Sequence, residues 1–440
     1  MLTIEQAAEA LAAGRTTARA LVEEALARVE REPRAFVDLQ SEAALASADA
    51  MDALRRAGRA PSRFAGIPVT IKDLFDQKGQ VTLAGSVARK GEEAAAEDAP
   101  VVARLLAAGF VILGRTNMSE FAFSGLGVNP HYGTPASAWD RATGRLPGGS
   151  SSGAGVAAAE GMGFGGLGSD TGGSCRIPAA LNGIVGFKPT ASRVPLAGAL
   201  PLSFTLDSVG PLARSVSCCQ ILDGIIADTP TTPATLPMRG LRLAVLRNYV
   251  EQGMEEAVAT AYQAALARLS ALGAVLTDIR IADIEALPAI NAKGGFTAAE
   301  SWTWHHDLLD RKGDAYDPII APRIRRGAAM TAEDYISLQA ARRNVIAAVA
   351  PQTAPFDAVL MPTVPLLPPP IAAVENVDEF TRINMLMLRN CSVGNFLDRC
   401  AISLPCQKPG EAPVGLMLMG EHGGDEKLFA VAKAVEAALA

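Results

Sequence analysis

Histidine is scarce in this 440-residue chain: His131, His305, His306 and His422 are the only four, and none stands in an HExxH spacing. That spacing is how one helix presents two histidines to a zinc ion, so no metal is expected. The six cysteines, Cys175, Cys218, Cys219, Cys391, Cys400 and Cys406, include no CxxC pair. Neither a redox motif nor a disulfide framework is predicted, and a reduced, cytoplasmic setting is the simplest reading. Basic residues number 40 against 46 acidic, a net charge of −6, with no Lys/Arg run. A nucleic-acid partner would leave a basic footprint, so none is expected. No run of about 18 uncharged apolar residues occurs, and the first 14 residues lack the basic start and apolar block of a secretory signal. Neither a membrane span nor export is expected.

What is present is a globular mixture, 49% hydrophobic and 20% charged. Such a chain has enough apolar surface to offset its ordering entropy, which excludes disorder as the main state. Helical periodicity runs over 4–13 and stops at Gly14. Thr16 or Thr17 then caps a second helix over 18–31, and a third covers roughly 41–58. Residues 66–72 are short and β-branched, a strand delivering Lys72 at its end. A helix at 99–108 and a strand at 110–113 follow. Strands are predicted again at 241–246, 356–361 and 414–419, with helices at 255–272 and 426–439. No repeat and no clear linker appears. Alternation of this kind predicts an α/β fold with a mostly buried sheet.

Residues 144–174 stand apart, with twelve glycines in 31 positions. A flexible linker fits poorly, because Val156 to Glu160 is helix-forming and Asp170, Cys175 and Arg176 break the simple composition. Gly163-Phe-Gly165-Gly-Leu-Gly168 matches GxGxxG, but a dinucleotide site needs a strand before it and a helix after it. Gly149-Ser-Ser151-Ser-Gly153 matches the GxSxG of a nucleophile elbow, yet no strand leads into Gly149. A cysteine beside a glycine turn, Cys175, is a further candidate nucleophile. It lacks a histidine partner, so a small buried hydrophobe is the better reading.

The segment read whole, Pro147-Gly-Gly-Ser150-Ser151-Ser152-Gly153 followed by Gly168-Ser-Asp170-Thr-Gly-Gly-Ser174-Cys-Arg176-Ile-Pro178, resembles the amidase signature family of serine hydrolases. The strand ending in Lys72-Asp73 fits the same pattern. So do the stretches Gly114 to Phe121, Asn129 to Pro135, Gly183 to Thr190 and Asp207 to Arg214. Ser152 stands where the family pattern has glycine, and Cys175 where a branched aliphatic is common. The resemblance implies an α/β/α sandwich with a large mixed, twisted central sheet flanked by helices. It implies one domain over 1–440, with a signature core at about 66–215, a helical N-terminal part at 1–60 and a variable substrate-specificity part at 216–440.

Cleaving an amide requires an activated nucleophile, a stabilised oxyanion and a proton for the departing nitrogen. The resemblance implies that Ser174 attacks, Ser150 (after a cis peptide) relays the proton and Lys72 is the base. Lysine can act so only when neutral, which means lowering its pKa by roughly 3 units, or about 4–5 kcal/mol. Ile67, Val69 and Ile71 mark an apolar strand face that would carry Lys72 inward. The alternative is a strand-end lysine paired with Asp73. The N–H groups of Thr171, Gly172, Gly173 and Ser174 are implied as the oxyanion hole, since glycine lets successive N–H groups converge. Asp170 and Arg176 are expected to hold that loop.

Met118, Phe121, Tyr132, Ser151 and Trp304 are candidate substrate-binding residues. Trp304 lies in Ser301-Trp-Thr-Trp-His-His306, which reads either as a substrate-facing patch or as an amphipathic helix with core aromatics. Asn395, Leu397 and Asp398 belong to a late segment that would pass near the pocket. The expected reaction is hydrolysis of a small carboxylic amide, with no cofactor and possible assembly as a homodimer. The alternative is the A-type glutaminase subunit of a tRNA-dependent amidotransferase, which would need partner subunits.

Overall fold

The computed structural model describes residues 1–229, 234 and 236–440. Eleven strands lie within them: β1 (Phe36–Leu39), β2 (Pro68–Lys72), β3 (Val111–Thr116), β4 (Gly165–Ser169), β5 (Val185–Lys188), β6 (Val209–Ala213), β7 (Arg242–Leu246), β8 (Val275–Ile279), β9 (Ala358–Pro362), β10 (Ala401–Pro405) and β11 (Gly415–Met419). They form one mixed sheet in the order β1-β3-β2-β4-β6-β5-β10-β11-β9-β7-β8. The β3, β2 and β4 strands are parallel, as are β9, β7 and β8, and the strands between these blocks run antiparallel. Pairing of Ala401 with Lys188 joins the carboxy-terminal strands to the 66–215 segment.

Successive side chains of a strand point to opposite faces. In β7, Leu243 and Val245 enter one apolar cluster while Ala244 and Leu246 enter another. In β11, Leu416 and Leu418 divide from Met417 and Met419 in the same way. Both sheet faces are therefore covered, which is why these strands read as continuous apolar runs rather than as alternating ones. The α/β/α sandwich with a mixed central sheet, expected above, is the fold of the chain. Its helices begin where the capping residues stand. Thr3 and Gln6 form a capping box for Ile4–Ala12, and Thr17 accepts from the Ala20 N–H to start Ala18–Val29. No helix among the described residues is long and apolar enough to cross a membrane.

The glycine-rich segment resolves into a turn, the helix Ser152–Glu160, strand β4 and a second turn leading into the helix Arg176–Asn182. Strand β4 runs through the GxGxxG match instead of ahead of it, which removes the dinucleotide reading. The nucleophile-elbow reading also falls, because Gly149 follows a loop and not a strand. Glycine serves β4 by leaving room. A Cβ on Gly166 would lie 2.7 Å from Thr70 Oγ1, and one on Gly165 would lie 2.6 Å from Leu222 Cδ1. Gly166→Ala is expected to cost about 1–3 kcal/mol through overpacking, read as a fall in Tm.

Candidate active site

The parallel block β3-β2-β4 ends, at its carboxyl edge, in the residues that matter. Along β2, Ile67, Val69 and Ile71 enter the apolar cluster, so Thr70 and Lys72 alternate to the opposite face. There Lys72 Nζ donates to Ser150 Oγ at 2.6 Å and to Ser169 Oγ at 2.9 Å. Lys72 and Ser150 are fully buried. Lys72 is not paired with Asp73, whose carboxylate accepts from Arg115 Nε at 2.7 Å and from the Gly85 N–H at 2.8 Å. Lys72 makes no ion pair among the described residues. Burial pushes its pKa down to about 7, against the opposing pull of Cys175, Asp170 and Asp207. A half-neutral amine hydrogen-bonded to a hydroxyl can take up that hydroxyl's proton.

Ser150 precedes the helix Ser152–Glu160, and the Gly149–Ser150 peptide is cis. The Ser119 N–H donates to the Ser150 carbonyl at 3.1 Å, and the Ser151 N–H to the Ser174 carbonyl at 3.2 Å. The second bond ties the Ser150 turn to the Ser174 turn. Ser174 is 3% exposed and lies on the wall of a cavity of about 890 Å³, beside Thr171 and Gly172. No hydrogen bond of the Ser174 hydroxyl occurs among the described residues.

The 170–175 turn is held from behind. Arg176 Nη2 and Nε donate to the two Asp170 carboxylate oxygens at 2.9 and 3.1 Å. Asn395 Nδ2 adds a bond at 2.9 Å. Burial pushes the Asp170 carboxyl up, but Arg176 and Asn395 outweigh it and hold the group well below the usual carboxylate range. The same carboxylate accepts the N–H groups of Gly173 at 2.8 Å and Cys175 at 3.1 Å. Of the four expected oxyanion donors, Gly173 is thus already engaged. The N–H groups of Thr171, Gly172 and Ser174 take no acceptor among the described residues. Asp170→Asn would leave Arg176 buried and unpaired, an expected loss of about 3–5 kcal/mol in chemical denaturation. A second change, Arg176→Met, should recover much of it.

A family model, Amidase, matches residues 20–429. The chain belongs to the amidase signature family. It is a hydrolase of amide C–N bonds. 2-Amino-5-chloromuconic acid deaminase of Comamonas testosteroni is 34% identical over 415 residues, covering 93% of this chain and 90% of that protein. The A-type subunit of the glutamyl-tRNA(Gln) amidotransferase of Chloroflexus aurantiacus is 34% identical over an alignment of 475 residues, with 99% and 96% covered. A crystal structure of an amidase superposes with a TM-score of 0.91 at 33% identity, over 100% of both chains.

None of the five residues expected as substrate contacts lines the 890 Å³ cavity of this amidase. Phe121 packs edge-on against the His305 ring at 4.4 Å and also meets Tyr316 and Trp304. The Trp/His segment is part of the helix Gly295–Lys312, with His305 buried, Trp302 and Trp304 half-buried against the core and His306 exposed. Burial drops the His305 pKa to about 3. Met118 is buried, and Ser151 Oγ donates to the Ser169 carbonyl at 3.3 Å. Tyr132 is half-buried beneath Lys90, and Trp304 borders a cavity of about 400 Å³ that shares Ala122, Thr171 and Leu202 with the main one and also reaches Ser169. The main cavity takes its walls from other segments, among them Phe123, Leu202, Tyr249, Phe296 and Asn395. Of the late segment, Asn395 reaches it, while Leu397 is in the core and Asp398 accepts from the Ala191 N–H. Ser169, the second acceptor of Lys72, carried no signal of its own beyond its place inside the motif. Cys175 is fully buried, and burial pushes its thiol up, out of the reactive range.

Proposed function

We propose that this amidase hydrolyses a small primary carboxamide through an acyl-enzyme on Ser174, with Ser150 as proton relay and Lys72 as terminal base. The observation that carries the reading is the buried Lys72 amine, with a pKa near 7 and a 2.6 Å bond to Ser150. Ser174 Oγ attacks the carbonyl carbon and its proton passes to Ser150, whose own proton passes to Lys72 Nζ. The oxyanion is received by the unengaged N–H groups of Thr171, Gly172 and Ser174. As the C–N bond breaks, the proton returns through Ser150 to the nitrogen and ammonia leaves. Water then attacks the ester with the same relay.

The reading as part of an amidotransferase is supported by the second relative, which aligns with nearly the whole chain. The purified chain alone, assayed for ammonia release over a panel of simple amides and glutamine, separates the two. Turnover of simple amides but not glutamine favours the stand-alone enzyme. Turnover of glutamine alone favours the amidotransferase. Sedimentation of the same preparation tests the homodimer that the resemblance implies.

A further inference from the structure

The smaller cavity, of about 400 Å³, meets the catalytic centre from the Lys72 side and does not include Ser174. Its inner wall carries Thr171 of the oxyanion turn and Ser169, whose hydroxyl accepts from Lys72 Nζ at 2.9 Å. Its outer wall carries Ala197 and Phe204, both exposed, so it has an opening to solvent of its own. Asp207 is the one ionisable residue on its wall among the described residues.

A carboxylate offers about four acceptor positions. Asp207 uses three of them. Thr171 Oγ1 donates to Oδ1 at 2.5 Å, and the N–H groups of Leu202 and Ser203 donate to Oδ2 at 3.0 and 3.1 Å. One position on Oδ1 remains, and Asp207 makes no ion pair among the described residues. Behind it, Glu300 accepts from the Ser203, Thr205 and Tyr335 hydroxyls and likewise has no cation there. Burial, with the Glu300 charge adding to it, raises the Asp207 carboxyl to about 6 against the pull of its three bonds. Two carboxylates without a cation make this a cavity that a small cation would relieve.

The proposed reaction produces such a cation. The departing nitrogen takes its proton from Ser150, which Lys72 resupplies, so it leaves on the side of that relay, where Ser169 stands. Lys72 has then returned its proton and no longer repels a positive charge. Ammonia gains its fourth proton from the one that the acid product gives up, so amide and water become carboxylate and ammonium. We propose that the smaller cavity is the release path of the nitrogen product and that Asp207 binds it there as ammonium. This rests on the Ser174 reading for which bond breaks. Ammonium held beside Asp207 obstructs the next departure, so it lowers kcat and leaves KM nearly unchanged.

The test adds ammonium chloride to the wild-type enzyme turning over a simple amide. Half-inhibition of kcat is expected at about 5–100 mM, the range that one charge-assisted pair gives. Sodium chloride and tetramethylammonium chloride at equal ionic strength should have little effect. Asp207→Asn should raise the half-inhibiting concentration about tenfold or more. Since Asp207 also holds Thr171, a second variant leaves that bond alone. Leu196→Lys puts a tethered ammonium on the same cavity wall and should remove the sensitivity too. Ammonium no more inhibitory than sodium, or inhibition that both variants leave in place, overturns the proposal. An equilibrium arm separates it from the acyl-enzyme reading. Ser174→Ala forms no ester for ammonia to attack, yet it should broaden the magnetic resonance of isotope-labelled ammonium, and adding Asp207→Asn should remove most of that broadening. If this holds while the wild type hydrolyses no amide, the acyl-enzyme reading fails and the ammonium site stands. If amides are hydrolysed and ammonium neither inhibits nor binds, the reverse is true.

Discussion

Ser174→Ala is expected to lower kcat by about 10⁴-fold or more and to abolish covalent labelling by a fluorophosphonate, with the fold and Tm nearly unchanged. The size follows from the proposed route: without the nucleophile no acyl-enzyme forms, and only binding and oxyanion stabilisation remain. The stability should hold because the hydroxyl makes no hydrogen bond that folding would lose, and the side chain is barely exposed. The remaining cavity machinery would be intact, including the N–H groups of Thr171 and Gly172. Mass spectrometry on the wild type should show the acyl adduct on the peptide containing Ser174. A label mapping to Ser151 or Cys175 instead would reassign the nucleophile. The structure argues against both, since Ser151 Oγ is buried against the Ser169 carbonyl and the Cys175 thiol is held protonated by burial.

The layered fold was legible because β7, β9 and β11 are apolar on both faces, and a strand so written must be covered twice. The path of Lys72 was legible too, since Ile67, Val69 and Ile71 mark the face it alternates away from. Strand β4 was hidden. Three of its five residues are glycine, a poor strand former, and they are there because Leu222 crowds Gly165, Thr70 and the helix Ser152–Glu160 crowd Gly166, and Leu212, Ser151 and Cys175 crowd Gly168. Ser169 was missed for a related reason. It meets Lys72 only because β2 and β4 are neighbours, a pairing between residues 97 apart. The substrate wall was the least readable. Phe121 is a residue type suited to a pocket, but it is fully buried against His305 and Tyr316, while Trp304, its ring centre 6.4 Å away, keeps a place on the smaller cavity beside Ser169 and Thr171. The cavity is assembled instead from short pieces between residues 122 and 396, and nothing local in any one of them announces the others.

Lys72→Met is expected to lower kcat/KM by about 10³-fold or more while making the protein more stable at neutral pH. In the wild type, kcat/KM should rise with pH through an inflection near 7, as the neutral amine forms in the free enzyme. Below that point activity should fall about tenfold per pH unit, and Lys72→Arg should be inactive throughout because a guanidinium stays charged. The stability effect has the opposite sign. Between pH 7 and about 10 the unfolded chain keeps this proton and the folded one has released it, so wild-type stability climbs with pH across that window. Below pH 7 the whole penalty of burying the ammonium is present, roughly 4 kcal/mol. Methionine removes that penalty but leaves the Ser150 and Ser169 hydroxyls without their donor, so a net gain of about 1–3 kcal/mol is expected. Asp207 and Asp223, whose carboxyls burial raises to about 6 and about 7, titrate in both proteins. Asp223 cancels in the wild-type minus variant difference, whereas Asp207, which acts on Lys72, does not, so the climb between pH 7 and about 10 is the part of the difference curve that reports Lys72. A flat difference curve, or a variant less stable than the wild type at pH 6, would show that the amine is not forced towards neutrality, and the lysine-base mechanism would fall with it.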